Sequence, residues 1–328
     1  MFAYPKRALR INSRLYASAS ALNPLTSPAP SAFRIFDRHA KLLQKNRAAA
    51  LNGGEISRQV DYVRDEVANR MIERFMDIKR QFVSLLDLGS GSGHFSKLLP
   101  STSASKVTML DLSDVALHRD PPSDFEVEVI RKQVDEERLL ETIDRNSQDV
   151  VVSCLCLHWV NDLPGVLIQI REVLRPDGVF IAAMFGGDTL FELRTSLQLA
   201  ELEREGGISP RVSPMTDTRD VSNLMGRAGF TLLTVDIDEI QVTYPTIWEL
   251  VEDLRNMGES NAIQDRRHII RRDTLLAASS IYSALHANED GTVPATFEVI
   301  YMIGWKPSPD QPKPLQRGSG QKNLKDVL

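Results

Sequence analysis

Three glycines at alternate positions, Gly89, Gly91 and Gly93, follow an apolar run from Val83 to Leu88 that is interrupted only by Ser84 and Asp87. Such a run predicts a buried parallel strand. Phe95, Leu98 and Leu99 then restart a helical period. Strand, glycine turn and helix is the setting in which a loop can cradle a ligand, because glycine lets the backbone approach closely and a helix start offers free N–H groups. The dinucleotide pattern places its third glycine at position 94, which is His94 here. Asp87 stands two residues before the first glycine. An anion there sits badly beside a pyrophosphate and suits a cationic ligand. A glycine turn with no ligand is the alternative.

Two downstream acids could complete such a site. Residues 107–111, VTMLD, predict a second strand ending in Asp111, about 20 residues past the loop, where an acid can hold ribose hydroxyls. A third apolar stretch, Phe125 to Ile130, precedes Asp135, a candidate acceptor for an adenine amino group or else a solvated charge in VDEER. Residues 149–157, DVVVSCLCL, predict a fourth strand, followed by His158 and Trp159. At the C-terminal end of a parallel strand these two are placed to line a pocket or to cover the sheet edge. Cys154 and Cys156 would share one face of that strand as buried small side chains, with no disulfide framework and no second ligand set for a metal.

The elements that must position these residues are legible in outline. Residues 33–82 predict helices: FDRHAKLLQKNRAA, a break at Asn52-Gly53-Gly54, then a long amphipathic helix with Val60, Val63, Val67, Met71 and Phe75 at spacings of three and four. Tyr62 on that helix is a candidate to face the ligand. Leu163 to Leu174 predicts a helix with Pro164 near its start. Arg175-Pro176-Asp177-Gly178 predicts a tight turn before a fifth strand, VFIAAMF. Two helical insertions, 186–226 and 246–290, interrupt the later alternation. Strands TLLTVDIDEIQVTY and TFEVIYMIGWKP close the sheet. The result is an α/β fold with a doubly wound, seven-stranded, Rossmann-like sheet, a helical N-terminal extension and helical insertions.

Composition bounds the rest. The 328 residues, 42% of them hydrophobic, suffice for one large α/β domain. No apolar run approaches the roughly 18–20 residues of a membrane span. The net charge of −5 argues against broad nucleic-acid binding. Residues 1–36 hold five of the 39 basic residues and none of the 44 acids, so the remainder carries about −10. That basic, Ser- and Ala-rich start has the composition of an organelle transit peptide, with Arg14-Leu15-Tyr16-Ala17 resembling a matrix-protease cleavage site, or of a disordered basic tail.

Taken together, DLGSGSGHF, MLDLS, CLCLHWVNDLPG, LRPDG and GRAGF resemble the class I methyltransferases that use S-adenosylmethionine (SAM), with Asp87, Gly89, Ser90, Gly91, Gly93, Asp111, Asp135, His158 and Trp159 as the cofactor-binding set. Within that superfamily, FDRHAKLLQKNRAA, FGGDTLFELRTSLQLAELEREGG, LVEDLRNMGESNA and NEDGTVPATFEVIYMIGWK resemble the family of mitochondrial complex I assembly factor 5. The similarity runs from Phe36 to Lys306. It implies 1–32 as transit peptide, 33–82 as N-terminal helices, 83–306 as the SAM-binding domain and 307–328 as a disordered tail.

The resemblance also implies a mitochondrial matrix enzyme of early complex I assembly, peripheral to the inner membrane, that hydroxylates an arginine of the complex I iron–sulfur core subunit. No nucleic-acid partner is implied. Holding a guanidinium takes carboxylates. Asp188, Glu192 and Asp253 are the candidates, with Arg194 as a partner to one of them. All are equally readable as surface charges. Hydroxylation by oxygen usually needs a metal or flavin. The sequence offers only His118-Arg119-Asp120 as an H-x-D, in a surface helix, and no metal site is assigned. Plain methyl transfer to a protein or carboxylate, a non-catalytic assembly chaperone and a dinucleotide oxidoreductase are the competing readings.

Overall fold

The computed structural model describes residues 34–312 and 318. The transit-peptide reading of 1–32 and most of the 307–328 tail lie outside them. The elements belong to one unit, Ile35–Leu328. Seven strands, β1 Phe82–Leu88, β2 Ala104–Asp111, β3 Val129–Gln133, β4 Gln148–Cys154, β5 Leu174–Phe185, β6 Thr231–Tyr244 and β7 Val293–Trp305, form one sheet in the order β3-β2-β1-β4-β5-β7-β6. The first five are parallel, and β7 runs antiparallel to both β5 and β6.

Helices cover both faces: α1 Arg38–Ala50, α2 Glu55–Gln59, α3 Tyr62–Met76, the single turn α4 Asp114–Leu117, α5 Leu163–Val173, α6 Phe191–Glu205, α7 Thr218–Ala228, α8 Ile247–Asn256 and α9 Arg272–His286. The period of two along each strand sorts its side chains. Leu85, Val150, Val152 and Ile181 pack with Val67 and Met71 of α3, Leu197 of α6, Leu250 of α8 and Tyr282 of α9. Leu86, Val151, Phe180 and Ala182 pack on the other face with Ile170 of α5 and Met225 of α7. Every one of these side chains is buried.

Several local expectations are corrected. No helix follows the glycine loop. Ser96–Leu98 is a single 3₁₀ turn, because Leu99 precedes Pro100 and takes an extended conformation. Phe95 goes into the core against Phe75, ring centroids 5.7 Å apart. The long N-terminal helix is broken at Val60 and Asp61, where the Asp61 carboxylate turns to Arg119. β3 begins only at Val129, while Phe125 and Val127 pack as buried loop side chains. Arg175 to Gly178 is a bulge inside β5, with Asp177 at φ +63° and the register slipping from Gln148↔Leu174 to Val150↔Val179. Cys154 and Cys156 do not share a strand face, since Leu155 between them has φ +52° and β4 has ended. Residues 307–312, assigned to the tail, are fastened through Gln311, which donates to Asp177 and accepts from Thr231.

Helix α1 is the piece the strand pattern does not foretell. Its basic side chains at 38, 41 and 45 share one face, by the helical spacing of three and four. Each ends on a carboxylate of the body: Arg38 on Glu136, Lys41 on Glu259 and Lys45 on Asp111. Glu136 is fully buried. Breaking one side of such a pair strands a charge. Arg38→Ala should therefore lower stability by about 3–5 kcal/mol. Adding Glu136→Gln should recover part of the loss, as read by guanidinium chloride unfolding.

Candidate functional site

Asp87 lies near the end of β1, two residues before the glycine loop, and is 1% exposed. Its Oδ2 accepts from Ser96 Oγ at 2.6 Å, while Oδ1 is buried without a partner. Burial, together with the neighbouring Asp111, raises its pKa to about 7 against the bond from Ser96. A carboxyl in that condition is short of a donor or a cation. Ser90 Oγ is likewise buried and unpartnered.

The three glycines differ in what they do. All have positive φ. A Cβ on Gly89 would meet Cys156 Sγ at 2.2 Å, and one on Gly93 would meet Met109 and Phe125 at 2.7 Å. A Cβ on Gly91 would meet nothing within 4 Å, because that residue faces the cleft. Four of the loop's N–H groups are spent inside the protein. Gly89 and Ser90 donate to Leu110 O, Gly91 to Asp111 Oδ2 and Gly93 to Ser90 O. With those four donors taken, and only a 3₁₀ turn behind the loop, the helix N-terminus of a phosphate cradle is not formed. What Gly91 offers a ligand is a bare backbone surface on the cleft.

Asp111 is fully buried at the end of β2. It accepts from Lys45 Nζ at 2.6 Å, Gly91 N at 2.9 Å and Ser113 N at 2.8 Å. Asp135 caps the turn that follows it, accepting from Glu137 N, and pairs with Arg38 at 3.0 Å. Neither acid lines the cleft directly. Its walls include Lys45, Ser57, Arg64, His94, Arg119 and Trp159. His94 Nδ1 lies 2.7 Å from Asp65 and Nε2 lies 2.9 Å from Ser92 Oγ, and burial lowers its pKa.

Trp159 lines the cleft, and the buried His158 behind it has an unpartnered Nε2 3.9 Å from Glu259. The cleft encloses about 60 Å³. That is little more than room for a few waters, less than a nucleoside needs.

A second, wider cleft of about 370 Å³ adjoins it, with walls from α6, α8 and the segment 211–215. This is within the size range of small-molecule and side-chain pockets, and the lining is largely apolar. The two clefts share Trp159, Met257 and Glu259. Glu259 carries the polar chemistry of that junction. Its Oε2 accepts from Lys41 Nζ at 2.8 Å and Trp159 Nε1 at 2.7 Å, and its Oε1 from Arg64 Nη2 at 2.5 Å. Burial opposes its ionisation, yet Lys41, His158 and Arg64 hold it well below the usual carboxylate range.

The acids proposed for a guanidinium are not brought together. Glu192 is buried and accepts from Thr296 N and Oγ1, a link between α6 and β7. Asp188 is exposed, near Glu298. Arg194 does not pair with an acid: it donates to the carbonyls of Gly187 and Thr189. Tyr62 donates to Asp253 at 2.8 Å and bonds Tyr244, and none of the three lines either cleft. Asp120 of the H-x-D is taken by Arg58, Lys97 and Arg119. Lys45, Arg64 and Glu259 escaped the sequence reading. The signal for Lys45 was its spacing from Arg38 and Lys41, and that for Glu259 was its place in LVEDLRNMGESNA.

A methyltransferase-domain family model matches residues 59–235. The arginine-hydroxylase NDUFAF5, mitochondrial, of Homo sapiens is 49% identical over 300 residues, covering 92% of this chain and 85% of that one. Its Danio rerio counterpart is 48% identical over 293 residues, 89% of each. The chain belongs to this arginine-hydroxylase family, within the class I SAM-dependent methyltransferase superfamily. It is accordingly an enzyme. A malonyl-[acyl-carrier protein] O-methyltransferase of a Methylovorus strain is 32% identical over 265 residues, covering 76% of this chain and 86% of that protein. Among solved structures, the YcgJ protein of Bacillus subtilis shares the fold at a TM-score of 0.53 and 14% identity, over 74% of this chain and 99% of that one.

The state of Asp87 has a measurable consequence. Its folded pKa of about 7 stands above the ordinary 3.8, so between those values the folded protein binds more protons than the unfolded one. Stability is therefore lost as pH rises from about 4 to 7. Asp87→Asn should make the ligand-free protein more stable than wild type at pH 8, by on the order of 1–3 kcal/mol. The gap should shrink toward zero by about pH 4 in urea unfolding.

Proposed function

We propose that this enzyme binds SAM in the first cleft and hydroxylates an arginine of the iron–sulfur core subunit of respiratory complex I, in the mitochondrial matrix, early in that complex's assembly. The observation that carries the cofactor is the orphaned Oδ1 of buried Asp87, two residues before a glycine loop that lines the cleft and is open at Gly91. A cationic, amine- and hydroxyl-bearing ligand supplies what that carboxyl lacks. Asp87 and Ser90 would hold the methionine end, Asp111 the ribose, and Trp159 and the Gly91 surface the body of the molecule. Bound SAM brings a sulfonium-activated methyl group and a fixed positive charge.

The chain's own residues do the rest. Helix α1 closes the cleft against water through Ala48 and Ala49, and Glu259 keeps a negative charge where the second cleft opens into the first. The arginine substrate and the mitochondrial setting come from relatives at 48–49% identity named mitochondrial arginine-hydroxylases. Residues 1–36, basic and without acids, agree with import.

Methyl transfer is the second reading, favoured by the 32% identity to a carrier-protein O-methyltransferase. The same cleft would then serve in-line attack on the sulfonium methyl.

Gly91→Leu fills the open face at a backbone cost of about 1–2 kcal/mol. In cells carrying it, mass spectrometry of the iron–sulfur core subunit should show loss of an oxygen-sized increment on one arginine. Loss of a methyl-sized increment instead would establish the second reading. An unaltered subunit, with the variant folded and unable to bind SAM, would overturn both.

A further inference from the structure

Arg64 projects from α3 to the place where the two clefts meet. Its Nη2 donates to Glu259 Oε1 at 2.5 Å and to the Met257 carbonyl at 2.8 Å. A carboxylate and a carbonyl oxygen converging on one guanidinium nitrogen satisfy both of its N–H donors. Both acceptor residues line both clefts. The protein's own arginine thus sits in a guanidinium site at the mouth of the apolar cleft.

From this geometry we infer that Arg64 is a stand-in: Met257 O and the Glu259 carboxylate are the subsite for the substrate's guanidinium, opened when Arg64 turns to the α-carboxylate of bound cofactor. The inference rests on the SAM and arginine reading above. Three features support it. The exchange conserves charge, one guanidinium replacing another on the same carboxylate. Glu259 stays in place meanwhile, because its Oε2 is held by Lys41 and Trp159 from outside the exchange.

The third feature is that Arg64 is the more accessible of these two cations on Glu259. Its side chain is 20% exposed, whereas that of Lys41 is 2% exposed, with its ammonium 3.5 Å over the Trp159 ring. The walls of the second cleft, among them Phe185, Leu193, Val212, Met215 and Phe297, suit the methylene stem of an arginine and apolar neighbours in a peptide. Binding is therefore ordered: cofactor first, arginine second.

The test is calorimetry on the full-length protein with two probes: S-adenosylhomocysteine, which keeps the α-carboxylate, and a blocked tripeptide with a central arginine between apolar residues. Wild type should bind the peptide at least tenfold more tightly when saturated with S-adenosylhomocysteine, and should not bind the citrulline analogue. Arg64→Met should move the two ligands in opposite directions. S-adenosylhomocysteine affinity should fall, while the peptide should bind without it. A merely structural Arg64 would weaken both.

Glu259→Gln should lose at least tenfold in peptide affinity, measured with S-adenosylhomocysteine saturating. Failure of wild type to bind S-adenosylhomocysteine would overturn the cofactor reading. Binding of S-adenosylhomocysteine with no peptide binding, or with peptide affinity indifferent to both the cofactor analogue and Arg64→Met, would overturn the subsite alone.

Discussion

Three basic side chains along one face of α1 meet three acids of the body, and the architecture of the site depends on that ladder. Arg38 reaches Glu136 at the turn after β3, Lys41 reaches Glu259 beyond α8, and Lys45 reaches Asp111 at the end of β2. Two of these acids belong to the sheet's cofactor edge and one to an insertion. A single helix therefore ties the insertion to the sheet. Buried ion pairs stabilise little compared with well-packed apolar contacts, since desolvation consumes most of the attraction. What they fix is position: α1 can dock in one register only, because any other leaves a buried carboxylate unpaired.

That constraint also sets the electrostatics. Glu136 and Glu259 are held ionised inside the protein, both with depressed pKa values despite their burial. Asp87 has no cation and is pushed the other way, to about 7. Acids answered by α1 belong to the scaffold, and the acid without a cation stands two residues before the glycine loop that lines the cleft. Among the described residues two carboxyls near the cleft keep a buried oxygen without a hydrogen bond, Asp87 and Asp61, and of these Asp61 pairs with Arg119 through its other oxygen.

Much of the fold was legible because the hydrophobic periods were clean. The alternation in β1, β4 and β5 that sends odd and even side chains to opposite cores is written in their sequences, as is the stripe of α3. Failures came where a polar side chain overrode a period. Asp61 breaks a continuous amphipathic helix to reach Arg119, and Pro100 prevents a helix after the glycine loop. Leu155 and Asp177, both at positive φ, end one strand face and bulge another at residues whose types do not announce it. The glycine loop and Trp159 were readable as site residues because local spacing places them at strand ends. Glu192 and Arg194 looked functional and turned out to pin α6 to β7 and to backbone carbonyls, since a charged side chain near a strand end looks the same in sequence whether it faces a ligand or a neighbour.

By itself, the sequence determined the α/β class, the strand and glycine loop of the candidate site, the buried acid Asp87 before that loop and the family resemblance. These are carried by residues within about one strand and turn of each other, where chain geometry leaves few choices. Only the tertiary structure decided that the N–H groups of the three glycines are spent internally, that Lys45 holds Asp111, and that Arg64 and Glu259 meet where the two clefts adjoin. Arg64 and Glu259 stand 195 positions apart, and Lys45 and Asp111 stand 66 apart. No local period constrains pairs so distant. Their meeting depends on the folded path of α1, α3 and the insertion after β6, which is set by packing of the whole sheet.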